Sequence, residues 1–135
     1  MVIIDVLYEG GLHCRLTHGP SGKQISTDAP KDNKGKGETF SPTDLVASAL
    51  GSCMLTIMAI YAMRHDIALE GTKVRVEKEM QQVPDRRITK LSLHFQIARG
   101  IDISQRKALE QAALSCPVHK ALTGVEMPIK FTYPD

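Results

Sequence analysis

Hydrophobic and polar positions alternate with a period of two over the first part of the chain. Val2 to Tyr8, Leu12 to His18 and Lys23 to Thr27 each alternate, as half-buried strands do. Gly10-Gly11 and Gly19-Pro20-Ser21-Gly22 separate them in the manner of hairpin turns. A polar stretch rich in Lys and Gly follows, from about Asp28 to Phe40. Loops of that length in compact domains are often functional or mobile. The pattern then changes. Ser41 can cap a helix, Pro42 suits its first position, and Asp44 lies three residues after the cap. That is a capping box with Asp in place of the usual Glu. It predicts a helix to about His65, about 36 Å long. Apolar or small residues occupy nearly all its sides, which places it in the middle of a domain. Two strands are predicted next. Val74 and Val76 alternate with Lys73, Arg75 and Glu77; Leu91, Leu93, Phe95 and Ile97 alternate with Ser92, His94 and Gln96. Pro84-Asp85 makes the turn between them. A second helix starts near Asp102 or Ser104, carries Ala108, Leu109, Ala112, Ala113 and Leu114, and is interrupted by Pro117. Alternation of Met127, Ile129, Phe131 and Tyr133 predicts a closing strand.

The predicted order is β-β-β-α-β-β-α-β. Runs of strands with helices between them indicate an α+β fold with mostly antiparallel sheets around two apolar helices. A length of 135 residues suits a single domain, residues 1–135, able to bury roughly two-thirds of its unfolded surface. Two apolar helices and few strands leave a monomeric core hard to close. A homodimer that buries the long helix is therefore expected.

Composition narrows the function. Charged residues make up 24% and the formal charge is only +2, with three Tyr and three Phe, so nucleic acid is not an expected partner. Lys31, Lys34 and Lys36 lie among glycines, Asp32 and Glu38, as in a solvated loop. The segment Leu45 to Met63 approaches transmembrane length, but Ser48, Ser52, Thr56 and Cys53 make it under-hydrophobic for that role. The start, Met1 to Tyr8, is short and carries Asp5, unlike a signal peptide. A soluble, cytoplasmic protein without membrane attachment is expected. His13, His18, His65, His94 and His119 are scattered, with no metal-ligand spacing, so no metal or cofactor is anticipated. No G-x-S-x-G is present to suggest a hydrolase. Met54, Met58 and Met63 read as core fillers.

The remaining chemistry lies in three cysteines, Cys14, Cys53 and Cys116, with no C-x-x-C pair. Cys14 alternates with His13 and Arg15 on a predicted strand and reads as core-facing. Cys53 follows Gly51 and Ser52, poor helix formers in mid-helix. The glycine can allow close backbone approach there. Cys116 immediately precedes Pro117, which can begin a short helical segment running to about Leu122. Unpaired N–H groups at that N-terminus favour a thiolate, and His119 lies three residues on. Each cysteine alone also fits a buried structural thiol. Two such cysteines on different helices could form a peroxide-reducing pair, one becoming a sulfenic acid and the other condensing with it to a disulfide. Spacing alone does not establish that they meet.

Two segments carry a family resemblance. The stretch Phe40-Ser41-Pro42-Thr43-Asp44-Leu45-Val46-Ala47-Ser48-Ala49-Leu50-Gly51-Ser52-Cys53 resembles the first motif of the OsmC/Ohr hydroperoxide reductases. Cys116-Pro117-Val118-His119-Lys120-Ala121-Leu122 is similar to their second. The element order matches over nearly the whole chain, and the general OsmC branch fits better than the Ohr branch. The resemblance implies two antiparallel sheets around two central helices in an intertwined homodimer. It implies Cys53 as the peroxidatic and Cys116 as the resolving cysteine, organic hydroperoxides as substrates, and a small dithiol or lipoylated protein as reductant. It implies no cofactor. Well-characterised members place a Glu ten residues before the first cysteine and pair it with an Arg. Thr43 occupies that position here, with Asp44 beside it. Asp44 either substitutes for the Glu or only caps its helix. The segment from Asp28 to Phe40 has no Arg, and Arg15 is the remaining candidate, either at the site or as an exposed strand residue. Two function classes follow: a thiol-dependent peroxidase, and an OsmC-like member with little peroxidase activity that binds a small apolar ligand in the dimer cleft.

Overall fold

The computed structural model describes residues 1–134 and divides into two compact units, Met1–Val46 and the chain from Ala47 onward. The first unit contains the antiparallel sheet β1 (Ile4–Gly10), β2 (His13–His18) and β3 (Gln24–Asp28), in the order β1-β2-β3. Gly10, Gly11 and Leu12 all have positive φ, which closes the first hairpin tightly. In register, Val6 faces Leu16 and Leu16 faces Ile25; Tyr8 faces Cys14 and Cys14 faces Thr27. Cys14 therefore shares the apolar face of this sheet. The opposite face is mostly polar and carries Arg15 between Leu7 and Ser26, and His13 beside Asp28.

The stretch expected as a loop from about Asp28 to Phe40 begins just after Asp28, the last residue of β3, and is tethered. It contains a 3₁₀ turn, Lys31–Asn33. The amide of Asp28 donates to the Phe40 carbonyl at 3.1 Å, and that of Ala29 to the Leu12 carbonyl at 3.0 Å. Asp28 Oδ2 accepts from the Glu38 amide, and Oδ1 meets His13 Nδ1. The His13 contact, chiefly, holds the Asp28 carboxyl below the ordinary Asp range, against the opposing effect of burial.

Helix α1 (Pro42–Arg64) begins with the predicted capping box. The Asp44 amide donates to Ser41 Oγ at 3.1 Å, and the Ser41 amide to Asp44 Oδ2 at 2.9 Å. By length and composition α1 is apolar enough to cross a membrane. It buries Ala47, Leu50, Gly51, Met54, Met58 and Ala62, at the spacing of one helical face. The expected place in the middle of a domain is only half met, because Ser48, Ala49, Ser52, Thr56, Ile60 and Met63 are exposed.

The second unit places α1 with a sheet of β4 (Lys73–Gln81), β5 (Arg87–Gln96) and β6 (Ile129–Thr132), ordered β4-β5-β6. Alternation puts Leu91, Leu93 and Phe95 in the core, where Phe95 stacks on Phe131 at 4.8 Å between ring centroids. Helix α2 (Ile103–Leu114) adds Leu109 and Ala113. Each fully buried Leu, Met or Phe contributes on the order of 2 kcal/mol through transfer out of water.

One expectation is corrected. β4 and β5 pair antiparallel, but β6 lies parallel to β5, with Leu93 opposite Ile129 and Phe95 opposite Phe131. The sheet is mixed. The reason is connectivity: β5 reaches β6 through α2 and the short α3 (Pro117–Ala121), a crossover that returns the chain to the same end of the sheet. Pro117 opens α3, the short helical segment expected there.

Candidate active site

The second unit brings two of the sequence-predicted residues together. Cys53 lies midway along α1 and is half-buried; Cys116 is fully buried as the N-cap of α3. The two thiols face one another closely enough for Cys53 to act on the Cys116 thiol. Both thiols are free.

Local sequence explains each placement. A Cβ on Gly51 would lie 2.9 Å from Val76 Cγ2 and 3.2 Å from Val74 Cγ1. Only a residue without a side chain lets α1 sit this close to β4, which fixes the depth of the following turn and of Cys53 within it. At the other partner, α2 ends at Leu114 and Pro117 opens α3, so Cys116 caps a new helix. Its Sγ accepts the His119 amide at 3.4 Å. The sequence suggested the His119 imidazole as an aid to the thiol; the contact made is through the His119 backbone.

These surroundings act on Cys116 in opposite directions. Burial, first, and the hydrogen bond with Cys53, second, push its thiol above the ordinary value, while the amides of His119 and Val118 pull it down. The net shift is upward, so Cys116 keeps its proton at neutral pH and can donate it towards Cys53 Sγ. The arrangement is a protonated thiol held against a second, more accessible sulfur. It can close a disulfide once the accessible sulfur is oxidised.

The other two candidates belong to the first unit. Asp44 takes part in the capping box of α1. Arg15 forms an ion pair with Glu9, Nη1 to Oε2 3.3 Å, on the polar face of its sheet. Glu9 also lies 3.7 Å from His13 Nε2. Sequence reading passed over Glu9, yet its position just before the Gly10-Gly11 turn, across the hairpin from Arg15, was the available signal. Among the described residues, no cluster of three or more His, Cys, Asp or Glu is arranged to hold a metal ion.

Known proteins place this geometry in a family. The family model described as OsmC-like protein matches residues 35–131, and the chain belongs to that family. It is similar to a Psychrobacter arcticus protein provisionally described as an osmotic stress induced and detoxification response protein. The two share 38% identity with a TM-score of 0.91, over 98% of this chain and 96% of the other. Similar folds at lower identity include an organic hydroperoxide resistance protein OsmC from Legionella pneumophila, at 21% identity and TM-score 0.74 over 98% and 96% of the two chains. They also include the organic hydroperoxide resistance protein OhrB of Bacillus subtilis, at 17% identity and TM-score 0.72 over 98% of each chain. No protein with a curated description matches the sequence.

Proposed function

We propose that this chain is a single-domain, thiol-dependent peroxidase that reduces organic hydroperoxides. Cys53 is the peroxidatic cysteine and Cys116 the resolving one. The observation that carries this reading is the contact between the half-buried Cys53 and the buried, proton-retaining Cys116. The Cys53 thiolate attacks the terminal peroxide oxygen, the O–O bond breaks, and the alkoxide leaves as an alcohol after taking a proton. Cys53 is then a sulfenic acid. Cys116 loses its proton, attacks the Cys53 sulfur and expels water, leaving a disulfide. An external dithiol, a small molecule or a lipoyl group on a protein, restores both thiols by exchange. The net reaction is hydroperoxide plus dithiol to alcohol, water and disulfide.

The working form in this reading is a cytoplasmic homodimer. Between Asp44 and Arg64 the helix α1 carries no charged residue, yet it exposes Ile60 and Met63. In the first unit the apolar sheet face leaves Ile4, Val6 and Tyr8 open. A second copy accounts for both surfaces.

A second reading has specific support. Asp44 Oδ2 accepts the Ser41 amide, and Arg15 pairs with Glu9. If neither assists the thiol, the protein is a weak peroxidase that binds a small apolar ligand in the dimer cleft. Trapping distinguishes the two. In Cys116→Ser, brief exposure to cumene hydroperoxide with dimedone present should label Cys53 stoichiometrically within seconds. Labelling that takes hours, or that falls equally on Cys14, favours the ligand-binding reading.

A further inference from the structure

The outer face of the second unit's sheet, turned away from α1, carries a feature the thiol chemistry does not use. On that face Arg75 of β4 stands opposite His94 of β5, and His94 opposite Lys130 of β6. Three basic side chains thus lie in one row across the sheet. On the same strands and turn, Lys90 lies 3.7 Å from Glu79, and Arg87 lies 2.8 Å from Asp85. Among the described residues, neither Arg75 nor Lys130 has such a partner.

The row borders a cavity of about 240 Å³, whose lining includes Arg75, Glu77, Ser92, His94, Pro128 and Lys130. Its shape follows from the sequence. Ser92 is small and stands opposite Glu77, so the centre of the sheet sinks between taller residues on β4 and β6. His94 is fixed at one end by a 2.7 Å hydrogen bond between its Nε2 and Thr132 Oγ1. Glu77 stands at the other end, two residues from Arg75 on the same face, about 7 Å along the strand. The trough is therefore dipolar, with unneutralised cations at one end and a carboxylate at the other.

We propose that this trough is a binding site for a small amphoteric anion. The ligand places a phosphate or carboxylate against Arg75, His94 and Lys130, and an ammonium or other donor against Glu77. Its volume suits a metabolite rather than a drug-sized molecule. Planar Arg75 can donate to two oxygens at once, and Lys130 acts as a point charge. The site lies on the opposite side of the sheet from Cys53, so it is a second site.

The test is an NMR titration of ¹⁵N-labelled full-length protein at constant ionic strength. Inorganic phosphate and O-phospho-L-serine serve as probes, and no thiol reaction enters the readout. Saturable shifts confined to residues 75–77, 92–94, 129 and 130 are expected with both probes, O-phosphoserine binding more tightly. Arg75→Gln and Lys130→Gln should each weaken both probes by about tenfold, the value of one charge-assisted contact. Glu77→Gln should remove the advantage of O-phosphoserine over phosphate, and Lys107→Gln on α2 should change nothing. Shifts that grow linearly without saturating, or equal binding by wild type and Arg75→Gln, overturn the site. If phosphate binds at least as tightly as O-phosphoserine to wild type, the amphoteric assignment falls.

Discussion

Gly51→Ala tests whether the close approach of α1 to β4 is built into the thiol site. On an unobstructed helix the change is favourable, by about 1 kcal/mol, because Ala loses less conformational freedom. Here the new methyl would sit 2.9 Å from Val76 Cγ2 and 3.2 Å from Val74 Cγ1, both inside ordinary carbon contact of about 3.5–4.0 Å. Val76 cannot swing aside, since a β-branched side chain has few χ1 wells on a strand. Overpacking of this kind costs about 1–3 kcal/mol. The balance is a net loss of up to about 2 kcal/mol, read as a lower urea midpoint at unchanged slope. Lifting α1 from β4 also moves Cys53, so peroxide-driven disulfide formation should slow in folded Gly51→Ala protein. In a Val76→Ala background the nearest clash is gone, and Gly51→Ala should become neutral or stabilise by up to about 1 kcal/mol. If Gly51→Ala stabilises the wild-type protein by about 1 kcal/mol, the packing argument is wrong.

Other outcomes follow from the same structure. Burial, and then the hydrogen bond to Glu110 at 3.1 Å, raise the Tyr133 phenol to about 12. Its contribution to stability is fully present below pH 10, the ordinary value, and is lost as pH rises towards 12. Absorbance at 295 nm should show a phenolate component titrating near 12 that vanishes in Tyr133→Phe; its persistence would place that component on another tyrosine. Ile60→Arg puts a charge on the exposed, uncharged stretch of α1 and should convert a dimer to monomers in sedimentation velocity. A wild-type protein that sediments as a monomer at micromolar concentration would contradict the proposed assembly.

Much of the fold was legible because local chemistry and pattern agreed. Ser41, Pro42 and Asp44 announced the start of α1, and the capping hydrogen bonds form between the residues expected to make them. Alternation around Val74, Val76, Leu91, Leu93 and Phe95 found β4 and β5, although both extend further towards their turn than the pattern suggested. The parallel pairing of β6 was hidden, because alternation reports a face and carries no direction. Direction is set by how far α2 and α3 carry the chain back. The contact between Cys53 and Cys116 was likewise unreadable from residues alone. Sixty-two intervening residues, including β4, β5 and α2, set the distance between those sulfurs. The motifs around each cysteine pointed to a pair, but only folding places one against the other.

The most direct test is intact-mass spectrometry of fully reduced protein after one equivalent of cumene hydroperoxide, with peptide mapping and with Cys53→Ser and Cys116→Ser in parallel. The account predicts loss of two hydrogens in the wild type within seconds, mapped to a Cys53–Cys116 disulfide. It predicts a gain of one oxygen on Cys53 in Cys116→Ser, and no rapid change in Cys53→Ser. Thiols that stay reduced for minutes in the wild type, or a first oxidation on Cys116 or Cys14, would contradict it.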